Sequence, residues 1–317
     1  MLISGSFDLS SKNNSIFKLI PKSVEYQKIN TLIYCLFKCF MEDFSIPVRE
    51  NRLDKTMHIA ALLLVVIVWG SAILFGGYIL AFYFIALIQG NTTQWNEVLP
   101  DIYDEQTRSA TLGIGLHFAA GGIILILGCI QLINSVRIKY PLLHRIIGRI
   151  YVIASIAAAI GGLVFIFSKG TIGGLIMDIG FAGYGILTFA AAIATIHFAR
   201  AKNFEQHRAW AIRLFALAIG SWLYRMDYGF WFMVTDRLGH NSDFTGAFDY
   251  FMDFFFYLPN LLVAEIFIGR YEVLKSGFAK FLAIVFLSGA NLFLIVATYF
   301  FTKEYWGPAI LDVILGR

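Results

Sequence analysis

Seven stretches of the chain are long, apolar and almost free of charge: 59–88, 111–136, 150–168, 171–196, 214–235, 250–269 and 281–302. A bilayer's hydrocarbon core is about 30 Å thick, so a helix of about 20 apolar residues crosses it. Inside lipid there is no water to bond the backbone amides, and a helix bonds all of them within itself. The stretches therefore read as membrane helices rather than strands. Hydrophobic residues make up 58% of the chain and charged residues 15%, against about a quarter charged in soluble domains. Too little polar surface remains to face water. The expected fold is all-α, a polytopic membrane bundle of about seven transmembrane helices.

Orientation follows from the basic residues, which collect in cytoplasmic loops. Arg137, Lys139, Arg145 and Arg149 follow the second stretch; Arg200, Lys202, Arg208 and Arg213 follow the fourth; Arg270, Lys275 and Lys280 follow the sixth. The alternate loops hold one basic residue each, Arg108, Lys169 and Arg237, and gather acids such as Asp104, Glu105, Asp236, Asp243 and Asp249. This alternation places the N-terminus in the cytoplasm and the C-terminus outside, in the inner (cytoplasmic) membrane of a cell. The domain reading is a cytoplasmic segment over 1–56, disordered or interfacial, a transmembrane domain over 57–303, and a short outer tail over 304–317. Basic residues set beside apolar runs, rather than clustered on one face, give no nucleic-acid surface. Cys35, Cys39 and Cys129 form no disulfide framework.

Two phrases stand out. His144-Arg145-Ile-Ile-Gly148-Arg149-Ile-Tyr151 leads into the third stretch, and His207-Arg208-Ala-Trp210-Ala-Ile-Arg213-Leu-Phe215 leads into the fifth. Each sets His-Arg at a helix start with a further Arg about a turn or more later. Two helix N-termini and several guanidinium groups at one end of a bundle favour an anion: a phosphate, a carboxylate or the propionates of a haem. The competing reading is arginines that reach to the lipid headgroups and set orientation. Anionic lipid and a small anionic ligand are thus the expected partners. His197 lies at the same end, and Glu265 lies within reach of Arg149, Arg213 or His207 as a neutralising or proton-handling group.

These phrases carry a family resemblance. The chain resembles the bacterial predicted-membrane-protein family catalogued as domain of unknown function 2306. That family has a His before a Gly-rich stretch, here His117 to Gly122, and an HRxxGRxY phrase, here His144 to Tyr151. It also has an HRxWxIRxY-like phrase, here His207 to Phe215 with Phe in place of Tyr, then an Arg, here Arg225, and an Asn-Leu-x-x-x-Glu phrase, here Asn260 to Glu265. The resemblance covers roughly residues 58–269 and implies a membrane bundle without a known reaction.

Ionisable groups at membrane depth are costly and point to function by default. His117, Asp178 and Arg225 are such groups; with Asn260 they form a second candidate site, in which Arg225 pairs with Asp178 and His117 stands as the lone histidine towards the outer face. Three functions remain open. Histidines near the ends of several helices suit haem b or a quinone-linked redox component. An outer polar trio and an inner basic cluster suit a small-anion or proton-coupled transporter, although no clear pair of broken helices is legible. A lipid-headgroup binder, sensor or assembly protein needs no chemistry. No HExxH, GxSxG or GxxxxGK[ST] motif occurs, so hydrolase readings are disfavoured and the enzyme question leans to no.

Overall fold

The apolar stretches do fold as helices. The computed structural model describes residues 52–98, 102–269 and 276–315, so residues 1–51 of the expected N-terminal segment lie outside the described residues. Among the described residues there is no strand. Six helices among the described residues are long and apolar enough to cross a membrane. They are α1 (Arg52–Gln89), α2 (Arg108–Leu132), α3 (Pro141–Ser168), α4 (Gly174–Arg200), the pair Ala247–Ile268 and the last helix, Gly277–Leu315. Phe167, Leu175, Phe286 and Ile314 are 77%, 74%, 70% and 71% exposed. Exposed side chains of this size on several helices suit a lipid surround.

The expected fifth stretch, 214–235, departs from a simple span. It belongs to a longer helical passage interrupted at Ile219, giving α5 (Phe204–Ala218) and α6 (Gly220–Thr235). Asn203 caps α5 through its side chain on the amide of Gln206. The sixth stretch is interrupted too, at Phe256 and Tyr257, giving α7 (Ala247–Phe255) and α8 (Leu258–Ile268). Pro259 opens α8, where a missing amide hydrogen is harmless. The last helix, α9 (Gly277–Leu315), carries one π-turn at Thr302–Trp306. The tail expected from 304 is therefore continuous with α9 as far as Leu315.

Small residues bring α1, α2 and α3 close together. A Cβ added to Gly76 would lie 2.9 Å from the carbonyl oxygen of Gly122, and one added to Gly113 would lie 2.7 Å from that of Gly161. In lipid there is little hydrophobic gain from helix association, so such close backbone approach is a main source of packing energy. Helices α1 and α9 are joined by polar contacts as well. Asn291 donates to Ala60 O at 2.9 Å, and Ser71 Oγ accepts from both Trp222 Nε1 (3.0 Å) and Thr298 Oγ1 (2.8 Å).

The two broken helices meet at their breaks: a Cβ on Gly220 would stand 3.2 Å from Phe256 O. Backbone groups at each break are met by side chains, as a low-dielectric surround demands. Tyr184 donates to Leu217 O at 2.9 Å, and Asn260 Nδ2 donates to Phe256 O at 2.8 Å. On one side of the breaks Arg213 on α5 grips Glu265 on α8; on the other, Tyr228 on α6 donates to Asp249 on α7.

Candidate functional site

Three polar zones are built on this frame. The first is the basic end, where α3 and α5 begin. His207 Nδ1 bonds the carbonyl of Thr195 at 3.0 Å, which makes Nδ1 the donor and leaves Nε2 to accept or ligate. His144 lies within electrostatic reach of His207 and Arg137, and its Nδ1 is buried without a hydrogen-bond partner. Of the groups that Glu265 was expected to reach, Arg213 is the one engaged: Nε to Oε1 at 2.5 Å and Nη2 to Oε2 at 2.9 Å. That is a two-pronged fork, with the guanidinium also 4.7 Å from the Trp210 ring centroid. Arg145 bonds Pro141 O at 3.2 Å, and Arg145, Arg149 and Arg208 are exposed. His197 stacks edge-on against Phe198.

The second zone contains His117 and Arg225. His117 Nδ1 donates to Ala158 O across the α2–α3 crossing at 2.9 Å. Gly162 opposite the ring has no side chain, which leaves the imidazole its place: an added Cβ would lie 3.1 Å from Nδ1. Arg225 donates to Ser221 O at 3.0 Å and holds its guanidinium 5.2 Å from the Phe75 ring centroid. Both residues line a small cleft of about 20 Å³ with Phe75, Ile79, Gly121 and Ser221. The structure does not bring Asp178 to Arg225. Asp178 Oδ1 instead accepts from the amide of Thr171 at 2.7 Å, closing the turn that starts α4. Four residues into its helix, the carboxylate reaches the preceding loop more easily than the middle of α6. Among the described residues no carboxylate lies within ion-pair distance of Arg225. Its field reaches His117, Tyr78, Tyr83, Tyr184 and Tyr224. Asn260 serves the α7–α8 break rather than this pocket.

The third zone was not legible as a site from sequence. Asp249 and Asp253 stand one turn apart on α7, and both are 0% exposed. Asp249 Oδ1 takes Tyr228 Oη at 2.8 Å and His240 Nδ1 at 2.7 Å, while Oδ2 takes the amides of Gly246 at 2.9 Å and Asn241 at 3.3 Å. Neither oxygen of Asp253 has a hydrogen-bond partner. His240, in the connection between α6 and α7, corrects the view of His117 as the lone histidine at that end. The available signal was the Asp-x-x-x-Asp spacing, which puts both acids on one helix face. Among the described residues no group of three or more His, Cys, Asp or Glu is placed to hold a metal ion.

At the acidic end, outside the spans, Asp104 organises the approach to α2. It accepts from the amide of Gln106 at 2.9 Å and from Thr107 Oγ1 at 3.0 Å, and Lys169 Nζ stands 3.8 Å away. These contacts, the Gln106 amide foremost, hold its carboxyl below the usual carboxylate range.

The ionisable residues of all three zones fall within one recognisable segment. Residues 114–268 match the DUF2306 family of predicted membrane proteins. The match runs from the middle of α2 to the end of α8, a narrower span than the 58–269 expected, and leaves α1 and α9 outside. Every candidate residue from His117 to Glu265 lies inside the DUF2306 segment. The chain is a membrane protein with several apolar helices. Comparison with curated proteins and with solved structures found no match.

Proposed function

We propose that this DUF2306 protein is a carrier for a small anion, with Arg225 as the binding cation. The observation that carries this reading is an arginine on a broken helix with a pocket before it and no acidic partner among the described residues. A charge at membrane depth costs several kcal/mol unless it is compensated. A purely structural arginine would be expected to hold a carboxylate; Arg225 has a backbone carbonyl and a ring face. Its remaining donors suit a forked oxyanion, and the His117 ring and Ser221 complete a polar wall. The free space before Arg225, about 20 Å³, is of the order of one water, so the substrate class is a small inorganic oxyanion that enters as the two interrupted helices part. The meeting of two interrupted helices beside it is the arrangement transporters use to expose backbone dipoles to a substrate.

By the distribution of basic residues, the basic end faces the cytoplasm of a cell whose inner membrane holds the protein. There the exposed Arg145, Arg149 and Arg208 suit anionic lipid headgroups. The haem or quinone reading has weaker support, because Arg213, a candidate holder of propionates, is already neutralised by Glu265.

Uptake of labelled nitrate and inorganic phosphate into proteoliposomes tests the carrier. Wild-type protein is expected to carry at least one of them, Arg225→Gln to abolish uptake, and Arg225→Lys to retain part of it with a raised KM. Uptake equal to empty liposomes for both probes, or Arg225→Gln equal to wild type, overturns the proposal.

A further inference from the structure

We propose that Asp253 carries an exchangeable proton, delivered through Asp249 and His240, and that this proton is the ion coupled to the anion carrier; the coupling rests on the carrier reading above. The two acids of α7 differ sharply in what surrounds them. Asp249 accepts from four donors. Asp253, a turn deeper, is 0% exposed with both oxygens unpartnered. No Lys or Arg among the described residues lies within ion-pair distance of it. A bare carboxylate there would be uncompensated in a low-dielectric surround, and a second negative charge one turn from Asp249 would be repelled. A carboxyl that holds a proton meets neither penalty.

The groups that face the pair come from three directions. Tyr224 and Tyr228 approach from α6, with Tyr224 in electrostatic contact with Asp253. His240 approaches from the α6–α7 connection. From α4, Gly180 lies against the main chain of Asp253, while Tyr184 is committed to Leu217 O and Asp178 to Thr171 N. Arg225 follows Tyr224 in the chain, and its field reaches that phenol. The acid pair and the cation of the anion pocket thus share one neighbour. In loading, His240 Nε2 takes a proton from water at the acidic end as its Nδ1–H bond breaks and that hydrogen passes to Asp249, whose proton then passes to Asp253. In release, the O–H bond of Asp253 breaks and the proton leaves on the other side, towards Tyr224 and the anion pocket, while His240 returns to its Nδ1–H form by exchange with water. The Asp249–His240 contact of 2.7 Å is the one link of this relay already formed.

Infrared difference spectroscopy and transport together test the proposal. In lipid at neutral pH the wild-type protein is expected to show a protonated-carboxyl stretching band that Asp253→Asn removes and Asp249→Asn leaves in place; if Asp253→Asn does not fold, Asp253→Glu is expected to shift the band. In proteoliposomes Asp253→Asn is expected to keep counterflow exchange of nitrate or phosphate and to lose pH-gradient-driven accumulation down to the exchange baseline. A band indifferent to both Asp253 variants overturns the proton site. Gradient-driven accumulation unchanged in Asp253→Asn, with counterflow intact, overturns the coupling alone. Absence of counterflow in the wild type overturns the carrier reading, and the coupling with it, while the spectroscopic result stands by itself.

Discussion

Replacing Gly180 by alanine tests whether α4 lies against the main chain of α7, the contact that seals Asp253. A Cβ at position 180 would stand 2.5 Å from the carbonyl oxygen of Asp253 and 3.1 Å from its carbonyl carbon. Relaxed carbon–oxygen contacts begin at about 3.3 Å, so the helices must part by roughly 0.8 Å, because backbone cannot rotate out of the way as a side chain would. Overpacking of this kind costs about 1–3 kcal/mol. Alanine's better helix propensity offsets about 0.8 kcal/mol of that, leaving a net loss of about 1 kcal/mol. At about 2–4 °C per kcal/mol for a domain of roughly 150–250 residues, Tm should fall by about 2–4 °C. Gly183→Ala is the control. Its Cβ would meet the Tyr257 hydroxyl at 3.4 Å, an ordinary contact, so that variant should be at least as stable as wild type. Thermal scans by intrinsic fluorescence on the two variants and wild type, in one detergent, decide the matter. Gly180→Ala melting at or above Gly183→Ala would refute the argument that α7 is seated on glycine.

Ser71→Ala removes the one acceptor shared by the indole of Trp222, which is 0% exposed, and the hydroxyl of Thr298. Leaving buried donors unmade costs about 1–3 kcal/mol, and a drop in Tm exceeding that of Ser276→Ala at the exposed start of α9 is expected. A double-mutant cycle on Arg213 and Glu265 should give a coupling of about 0.5–1 kcal/mol, since the fork geometry is good but the pair is 22% and 50% exposed; zero coupling would remove the tie. Asp104 is held below its ordinary range by the Gln106 amide and then by Thr107. Its contribution to stability is therefore present above the usual carboxylate range and lost as pH falls through its lowered value. Asp104→Asn should flatten the acid side of a Tm-against-pH curve, and an unchanged curve would count against that role.

The helices were readable because the bilayer imposes a length: a run such as 111–136 has few other ways to satisfy its amides. The reach of Glu265 towards Arg213 was readable for the same reason, since both flank helix ends at one face. What pairs with what inside the bundle was not. Asp178 and Arg225 seemed matched by depth alone, yet rotation about each helix axis decides meeting, and Asp178 turned to the amide of Thr171. The breaks at Ile219 and at Phe256–Tyr257 left little trace. Gly220 and Pro259 mark them weakly, and what stabilises them is a tyrosine on α4 and an asparagine a turn later. Asp249 looked like a loop acid because its donors, Tyr228 and His240, are distant in sequence or sit in a polar connection that reads as solvent-facing.

The two ties on either side of the breaks have a mechanical consequence. Arg213–Glu265 joins α5 to α8, and Tyr228–Asp249 joins α6 to α7, so each tie links segments on the same side of the junction. Sliding one bent helix past the other would rupture both ties, whereas flexing at Ile219 and Phe256 ruptures neither. The pair is therefore built as two tied plates on a common hinge, and a bend there would tilt the α5–α8 side against the α6–α7 side without breaking either tie.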